Sequence, residues 1–134
     1  MYLKLLNDQE KKAFLELACD LSAVDGNFEQ AESLMISEYC NEMDISFEEC
    51  STNGDITVLL NKLNETLDGK SKKIILFELL GLALCDNMFD NKERDFIYSI
   101  AENFGIDKNI VNAFEDVISK YIKIQHDIDD MILG

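Results

Sequence analysis

The sequence predicts an all-α domain, and three observations support that prediction. The 134 residues include no proline and only 6 glycines, so few positions interrupt a helix. Apolar residues recur at the three- and four-residue spacings of a helix, and the two-residue alternation of a half-buried strand is scarce. We expect a single domain over residues 1–134, a helical bundle of about six or seven helices. It is built from two pseudo-repeated helical hairpins, a linker helix and a long C-terminal helix.

The first hairpin is predicted at about residues 8–46. Asn7 and Glu10 have the spacing of a capping box at the start of its first helix, and Gly26 ends that helix. The second helix runs from about Gln30 to Met43. Its inward face comprises Met35, Ile36, Tyr39, Cys40 and Met43.

The linker helix is predicted at about residues 55–68, with Asp55 as its N-cap, and the second hairpin at about residues 71–107. The first helix of this hairpin is apolar on nearly all sides, which places it at the centre of the bundle. Gly81 lies within it, where close approach of another helix would explain a glycine.

The C-terminal helix is predicted at about residues 108–132. Its apolar residues alternate in steps of four and three, as in a coiled coil, and form a seam of Ile110, Phe114, Val117, Tyr121, Ile124, Ile128 and Met131. If the whole seam packs on the protein's own hairpins, the protein is monomeric. We favour this arrangement because a domain of this size must cover its own core. If the part from Ile124 onward projects, it could pair with a second copy to form a homodimer.

An acidic corner occurs once in each hairpin, at a shift of 61 residues. The acidic residues align in pairs: Asp25 with Asp86, Glu29 with Asp90, and Glu32 with Glu93. The apolar positions of the second helix align with residues 96, 97, 100, 101 and 104 without a slip. We therefore expect two similar hairpins that pack pseudo-symmetrically, with the corners in related positions.

Each corner follows the pattern of a helix that ends in Asp-Gly-x-apolar-acid-x-x-Glu and is followed by an amphipathic helix. In the first copy the pattern is carried by Ala23, Asp25, Gly26, Phe28, Glu29 and Glu32. The second copy has Asp86, Phe89, Asp90 and Glu93, but Asn87 and Met88 replace the Gly-Asn of the first. This pattern resembles the tellurite-resistance TerB family and TerB-like domains such as the N-terminal region of DjlA co-chaperones, over roughly residues 12–122. The resemblance implies an all-helical fold, no established catalytic activity, and an association with stress response, metal resistance and phage defence.

Two interpretations of the acidic corner remain open. Carboxylates from a helix end, a turn and the next helix could converge on Ca²⁺ or another divalent cation. Alternatively, Asp90 caps a helix by accepting from the Glu93 N–H while Glu93 reaches back. Capping is favoured, but it leaves Asp25 and Asp86 unexplained at helix C-termini, where negative charge is mildly unfavourable. An EF-hand is excluded, because an isoleucine stands where each loop would need a bidentate Glu.

The charge balance narrows the classes of partner. With 12 basic and 27 acidic residues, the net charge of −15 opposes nucleic-acid binding and favours metal cations or a basic protein surface. The N-terminus lacks the pattern of a signal peptide, and the longest apolar-rich run, Ile74–Cys85, is too short to span a bilayer. We therefore expect a cytoplasmic protein without membrane insertion, whose four cysteines are reduced thiols.

Catalysis is not expected, because the sequence contains no phosphate-binding loop, nucleophile elbow or Ser/Cys–His constellation. Glu78, within the apolar fourth helix, is expected to be partly exposed or paired with a lysine. The expected function is a non-catalytic TerB-like module in a stress, metal-resistance or phage-defence context, which could bind a divalent cation at its acidic corners; an enzyme whose motifs are not recognised ranks last. The alternative is a protein-interaction or oligomerisation module without metal.

Overall fold

The computed structural model describes residues 1–24, 30–46, 56–85 and 89–134. These ranges contain six α-helices, a 3-10 turn at Leu3–Leu5 and no β-strand, which confirms the all-α prediction. The helices are α1 (Asp8–Ala23), α2 (Gln30–Met43), α3 (Thr57–Thr66), α4 (Gly69–Leu84), α5 (Asn91–Phe104) and α6 (Lys108–Leu133). The hairpins are α1–α2 and α4–α5, α3 links them, and α6 packs against α4 and α5.

The two hairpins have the same helix boundaries at a shift of 61 residues, because α4 and α5 begin and end 61 positions after α1 and α2. The N-caps correspond too. The Asn7 side chain accepts from the Glu10 N–H at 2.8 Å, and the Asp68 side chain accepts from the Ser71 N–H at 2.7 Å. Asp68 is therefore the N-cap of α4, which begins at Gly69, two residues before the predicted start of the second hairpin.

Two predicted helix boundaries lie outside the described residues: Gly26 as the end of the first helix, and Asp55 as the N-cap of the linker helix. The N-cap position of α3 is Ile56, whose side chain makes no capping hydrogen bond. The start of α3 is therefore held by tertiary packing, with Leu60 and Leu63 buried against the core.

The apolar helix α4 lies at the centre of the bundle, as predicted, and contacts α1, α2, α5 and α6. Gly81 leaves room for α2, since a Cβ atom at that position would lie 3.3 Å from the Tyr39 hydroxyl oxygen of that helix. The same hydroxyl donates to the Glu78 carbonyl oxygen at 2.9 Å. A glycine is thus present where the two helices need the space, which confirms the explanation expected from the sequence.

Only the first half of α6 packs on the bundle. Val111 and Ile118 are buried, the rings of Phe114 and Phe77 meet edge to face at 5.4 Å, and the Arg94 guanidinium of α5 pairs with Glu115 at 3.3 Å. From Lys123 to Leu133 every residue except the half-buried Asp129 is exposed.

The expectation that the whole seam packs on the protein's own hairpins is therefore wrong. Helix α6 has 26 residues and α4 has 16, so α6 outruns the bundle by roughly 15 Å at 1.5 Å per residue. The residues of α6 that face the bundle are Val111, Glu115, Ile118 and Ile122. From Val117 onward the seam lies about a third of a helical turn away from this bundle-facing side.

The thiol chemistry differs from the sequence prediction at Cys19. This residue is 3% exposed and takes part in a disulfide bond, so the expectation that all four cysteines are reduced is wrong for it. Sequence spacing carries no information about which thiols meet in the fold. Cys40 keeps a buried thiol, and burial raises its pKa.

Candidate functional site

Half of the predicted cation ligands can be located in the structure. Asp25, Glu29 and Asp86 lie outside the described residues, whereas Glu32, Asp90 and Glu93 lie within α2 or at the start of α5. Within the ranges that the structure describes, no three His, Cys, Asp or Glu side chains are grouped to hold a metal ion. The convergence of carboxylates predicted for each corner thus remains a prediction.

Asp90 is the N-cap of α5. Its backbone is extended, and its carboxylate accepts from the Glu93 N–H at 2.8 Å, as the capping interpretation predicts. In α1 the box is two-sided, because Glu10 also accepts from the Asn7 N–H at 2.8 Å. The capping interpretation is therefore confirmed for the bond that Asp90 accepts.

Glu93 and its counterpart Glu32 are buried at equivalent positions of the two hairpins. Each residue is 3% exposed, and its Oε2 atom is removed from solvent. A glutamate in the first turn of a helix is ordinarily solvated, and burying a carboxylate costs several kcal/mol unless its surroundings compensate. The corner thus contains a buried acid in both copies, which helix capping does not require.

A separate acidic site holds the N-terminus. The Met1 ammonium donates to Glu42 Oε1 at 2.8 Å and to Glu78 Oε1 at 3.0 Å. The next two backbone N–H groups, of Tyr2 and Leu3, donate to Glu78 Oε1 at 3.0 Å and to Glu42 Oε2 at 2.8 Å. We call this arrangement the N-terminal clasp.

The N-terminal clasp corrects the prediction for Glu78, which is 5% exposed and paired with an ammonium group rather than with a lysine. Burial by itself lowers the pKa of the Met1 amino group, but the hydrogen bonds that the ammonium donates to Glu42 and Glu78 outweigh burial, and the pKa is raised. Burial raises the pKa of Glu42, yet its contacts with the ammonium prevail and the pKa is lowered. The N-terminal clasp is occupied by the chain's own ammonium group. The two glutamates therefore stabilise the fold.

Asp20 of α1 is a buried acid that the sequence analysis does not single out. It is 8% exposed, and burial, followed by the nearby charge of Glu16, raises its pKa to about 6. The available sequence signal is the pair of acids four residues apart, since like charges at that spacing meet on one helix face. Burial of that face, however, depends on tertiary packing.

The α6 stripe is the clearest unpartnered surface. We define it as the exposed part of the seam, with these fractional exposures: Val117 55%, Tyr121 50%, Ile124 57%, Ile128 39% and Met131 79%. Ile132 and Leu133 extend the apolar surface at the helix end. Two intrahelical ion pairs flank the stripe, Lys120 with Asp116 at 2.9 Å and Lys123 with Asp127 at 3.1 Å. The favoured sequence prediction placed these apolar residues in the core, whereas their exposure agrees with the alternative, in which the helix projects from Ile124 onward.

Comparison of the chain with protein-family models, with curated proteins and with solved structures gives no match. The TerB-like assignment therefore rests on the corner motif and remains a prediction. Of the helices described, none is long and apolar enough to cross a membrane.

Proposed function

We propose that the protein is a non-catalytic helical module that binds another polypeptide through the α6 stripe. The observation that carries the proposal is the exposure of five large apolar side chains at coiled-coil spacing on one helix. Scattered exposed apolar residues are ordinary on a protein surface, but a continuous stripe of them is typical of an interaction site.

The projecting end of α6 supports the same proposal. It comprises about three helical turns that gain little from the bundle, and an isolated helix of that length is marginal in water. A second helix packed along the stripe would bury the apolar side chains and add the tertiary contacts that stabilise most protein helices. The stripe therefore fits a helical partner better than a flat protein surface.

Site-specific photo-crosslinking tests the proposed function. A photoreactive phenylalanine analogue is placed at Ile124 of the α6 stripe, and in a control at Val58, an apolar residue of α3 that is 75% exposed. Irradiation in cells of the native host should give an adduct from position 124 and none from position 58. Absence of an adduct at position 124 would show that the stripe does not bind protein.

Divalent-cation binding at the acidic corners is the second candidate function. The presence of a glutamate at equivalent positions of the two hairpins, Glu32 and Glu93, supports it, because carboxylate oxygens are the ligands that hard divalent cations prefer. The stress-response, metal-resistance or phage-defence setting implied by the TerB resemblance belongs to this candidate. The net charge of −15 supports it as well, since a negatively charged protein attracts cations.

Thermal unfolding with and without metal tests the second candidate. Millimolar Ca²⁺, Mg²⁺ or Mn²⁺ should raise the melting temperature of the wild type above that in NaCl of equal ionic strength. Asp86→Asn should abolish the rise, and Asp130→Asn, which removes an equal charge from the exposed end of α6, should preserve it. An unchanged wild-type melting temperature in all three metals would eliminate the corner as a cation site.

A further inference from the structure

We infer that the partner bound by the α6 stripe is a second copy of this chain, aligned antiparallel so that the two α6 helices form a short coiled coil. This inference rests on the proposed function and names the partner. An antiparallel pair related by a two-fold axis is isologous, so a single stripe supplies both faces of the interface.

The seam positions match in this register. With the axis near Ile122, Val117 of one copy faces Ile128 of the second, and Tyr121 faces Ile124. Each of these contacts occurs twice by symmetry. Phe114, half-buried on its own bundle, lies at the level of Met131 of the second copy, so the projecting end of one α6 continues the apolar surface of the other.

The charges beside the seam favour the antiparallel orientation. Lys120 immediately precedes the seam residue Tyr121, and Asp127 immediately precedes the seam residue Ile128, so both lie at the same heptad position. In an antiparallel pair, this position on one helix lies opposite the same position on the other helix. Lys120 of one copy then meets Asp127 of the second, twice. In a parallel pair, Lys120 would meet Gln125, and Asp127 would meet the apolar Ile132.

The ion pairs within each helix do not prevent this exchange. Lys120 and Asp116 are 72% and 64% exposed, and Lys123 and Asp127 are 77% and 55% exposed. Such solvated pairs contribute little to stability, so Lys120 and Asp127 are available for contacts between copies.

The net charge also selects the orientation. Two chains of charge −15 repel each other, and a parallel pair would place both acidic bundles side by side. The antiparallel pair places them at opposite ends of the coiled coil. Each copy brings the five apolar side chains of the α6 stripe, 39% to 79% exposed, to this interface.

Analytical ultracentrifugation of the full chain over a concentration series tests the inference. The wild type should sediment as a concentration-dependent dimer. Ile124→Lys, in the α6 stripe, should weaken dimerisation at least about 100-fold, whereas Val58→Lys should leave it unchanged. Both substituted residues are more than half exposed, so neither change disturbs the core. A wild type that remains monomeric at several hundred micromolar would overturn the inference.

Charge exchange tests the orientation. Lys120→Asp and Asp127→Lys should each weaken the dimer about tenfold, because each places like charges together between the copies. The double variant should recover most of the lost affinity, although it leaves like charges four residues apart within each helix, at Asp116 and Lys123. Failure of the double variant to recover would overturn the antiparallel register. The crosslinking at position 124 separates the two proposals: an adduct of twice the chain mass supports the dimer. An adduct of another mass, together with a monomeric wild type, retains the proposed function and refutes self-association.

Discussion

Asp44 and Gly105 occupy the same left-handed backbone position at the ends of α2 and α5, with φ angles of 57° and 71°. Each is followed by an isoleucine whose N–H donates to a carbonyl five residues back, so both helices end in the same hydrogen-bonded turn. A side chain is strained in this conformation by about 1 kcal/mol, although aspartate tolerates it better than most residues. The second hairpin thus has glycine where the first retains a strained aspartate.

Substitutions at positions 44 and 105 should change the free energy of unfolding in opposite directions. Asp44→Gly should raise it by roughly 0.5 kcal/mol by relieving strain, and Gly105→Ala should lower it by about 1 kcal/mol by introducing strain. Urea denaturation measures both. If Gly105→Ala is neutral, the left-handed turn does not limit stability.

The contact between Gly81 and Tyr39 predicts a coupled effect. Alanine in the interior of a helix is favoured over glycine by about 1 kcal/mol, but a Cβ at position 81 would press on the Tyr39 hydroxyl. Gly81→Ala should therefore fail to stabilise the wild type, yet raise the free energy of unfolding by roughly 0.5 to 1 kcal/mol in a Tyr39→Phe background. A double-mutant cycle in urea measures this coupling, and equal effects in both backgrounds would contradict it.

The N-terminal clasp predicts a pH-dependent contribution to stability. The folded pKa of the Met1 ammonium is raised above 8.0, so its contribution is complete below pH 8 and is lost as pH rises through the folded pKa. The folded pKa of Glu42 is lowered below 4.5, so its contribution is present above that pH and is lost on acidification. The clasp therefore stabilises the fold between these limits.

Glu78→Gln should lower the free energy of unfolding by about 1 kcal/mol at pH 6.5, because the half-exposed ammonium loses a buried partner. At pH 10 the difference should vanish or reverse, since the neutral amine no longer compensates the Glu78 charge. Denaturation at both pH values measures the effect, with Glu65→Gln on the exposed side of α3 as the control. A difference that does not change with pH would exclude the ion pair as its source.

Asp20 should destabilise the protein at neutral pH. Its folded pKa of about 6 lies above the ordinary 3.8, so the folded state binds the proton more tightly. The stabilisation that comes from this tighter proton binding is complete below about pH 4 and is lost as pH rises through 6. Asp20→Asn should therefore raise the free energy of unfolding by about 1 kcal/mol at pH 7.5, allowing for partial solvation, and change it little at pH 3.5. Asp95→Asn, on the exposed face of α5, provides the control in matched urea titrations.

The cap at Asp90 should contribute to stability without metal. Asp90→Ala removes the acceptor for the Glu93 N–H and should lower the free energy of unfolding by about 1 kcal/mol in a chelating buffer. Asp68→Ala, which removes the matching cap of α4, should also lower the free energy of unfolding. If Asp90→Ala is harmful only when metal is present, the capping role is secondary to a cation role.

Sequence periodicity and repetition by themselves determined the helical class, the duplicated hairpin and the central place of α4. These features follow from local patterns, since apolar spacing sets the helix faces and matched cap residues set the boundaries. The boundaries of α1 and α2 recur in α4 and α5 because the two segments repeat the same capping and apolar positions, including Asn7 and Asp68.

Only the tertiary structure decided which apolar and acidic residues are covered. The heptad pattern of α6 is the same whether Ile124 faces a core or water, because helical spacing records which residues share a face and not what packs against it. Glu32 and Glu93 are predicted as cation ligands or capping residues, and their burial is seen only in the structure. Likewise, Glu78 meets the Met1 ammonium 77 residues away. Burial and ion pairing depend on how the helices pack together, which the spacing along one helix does not determine.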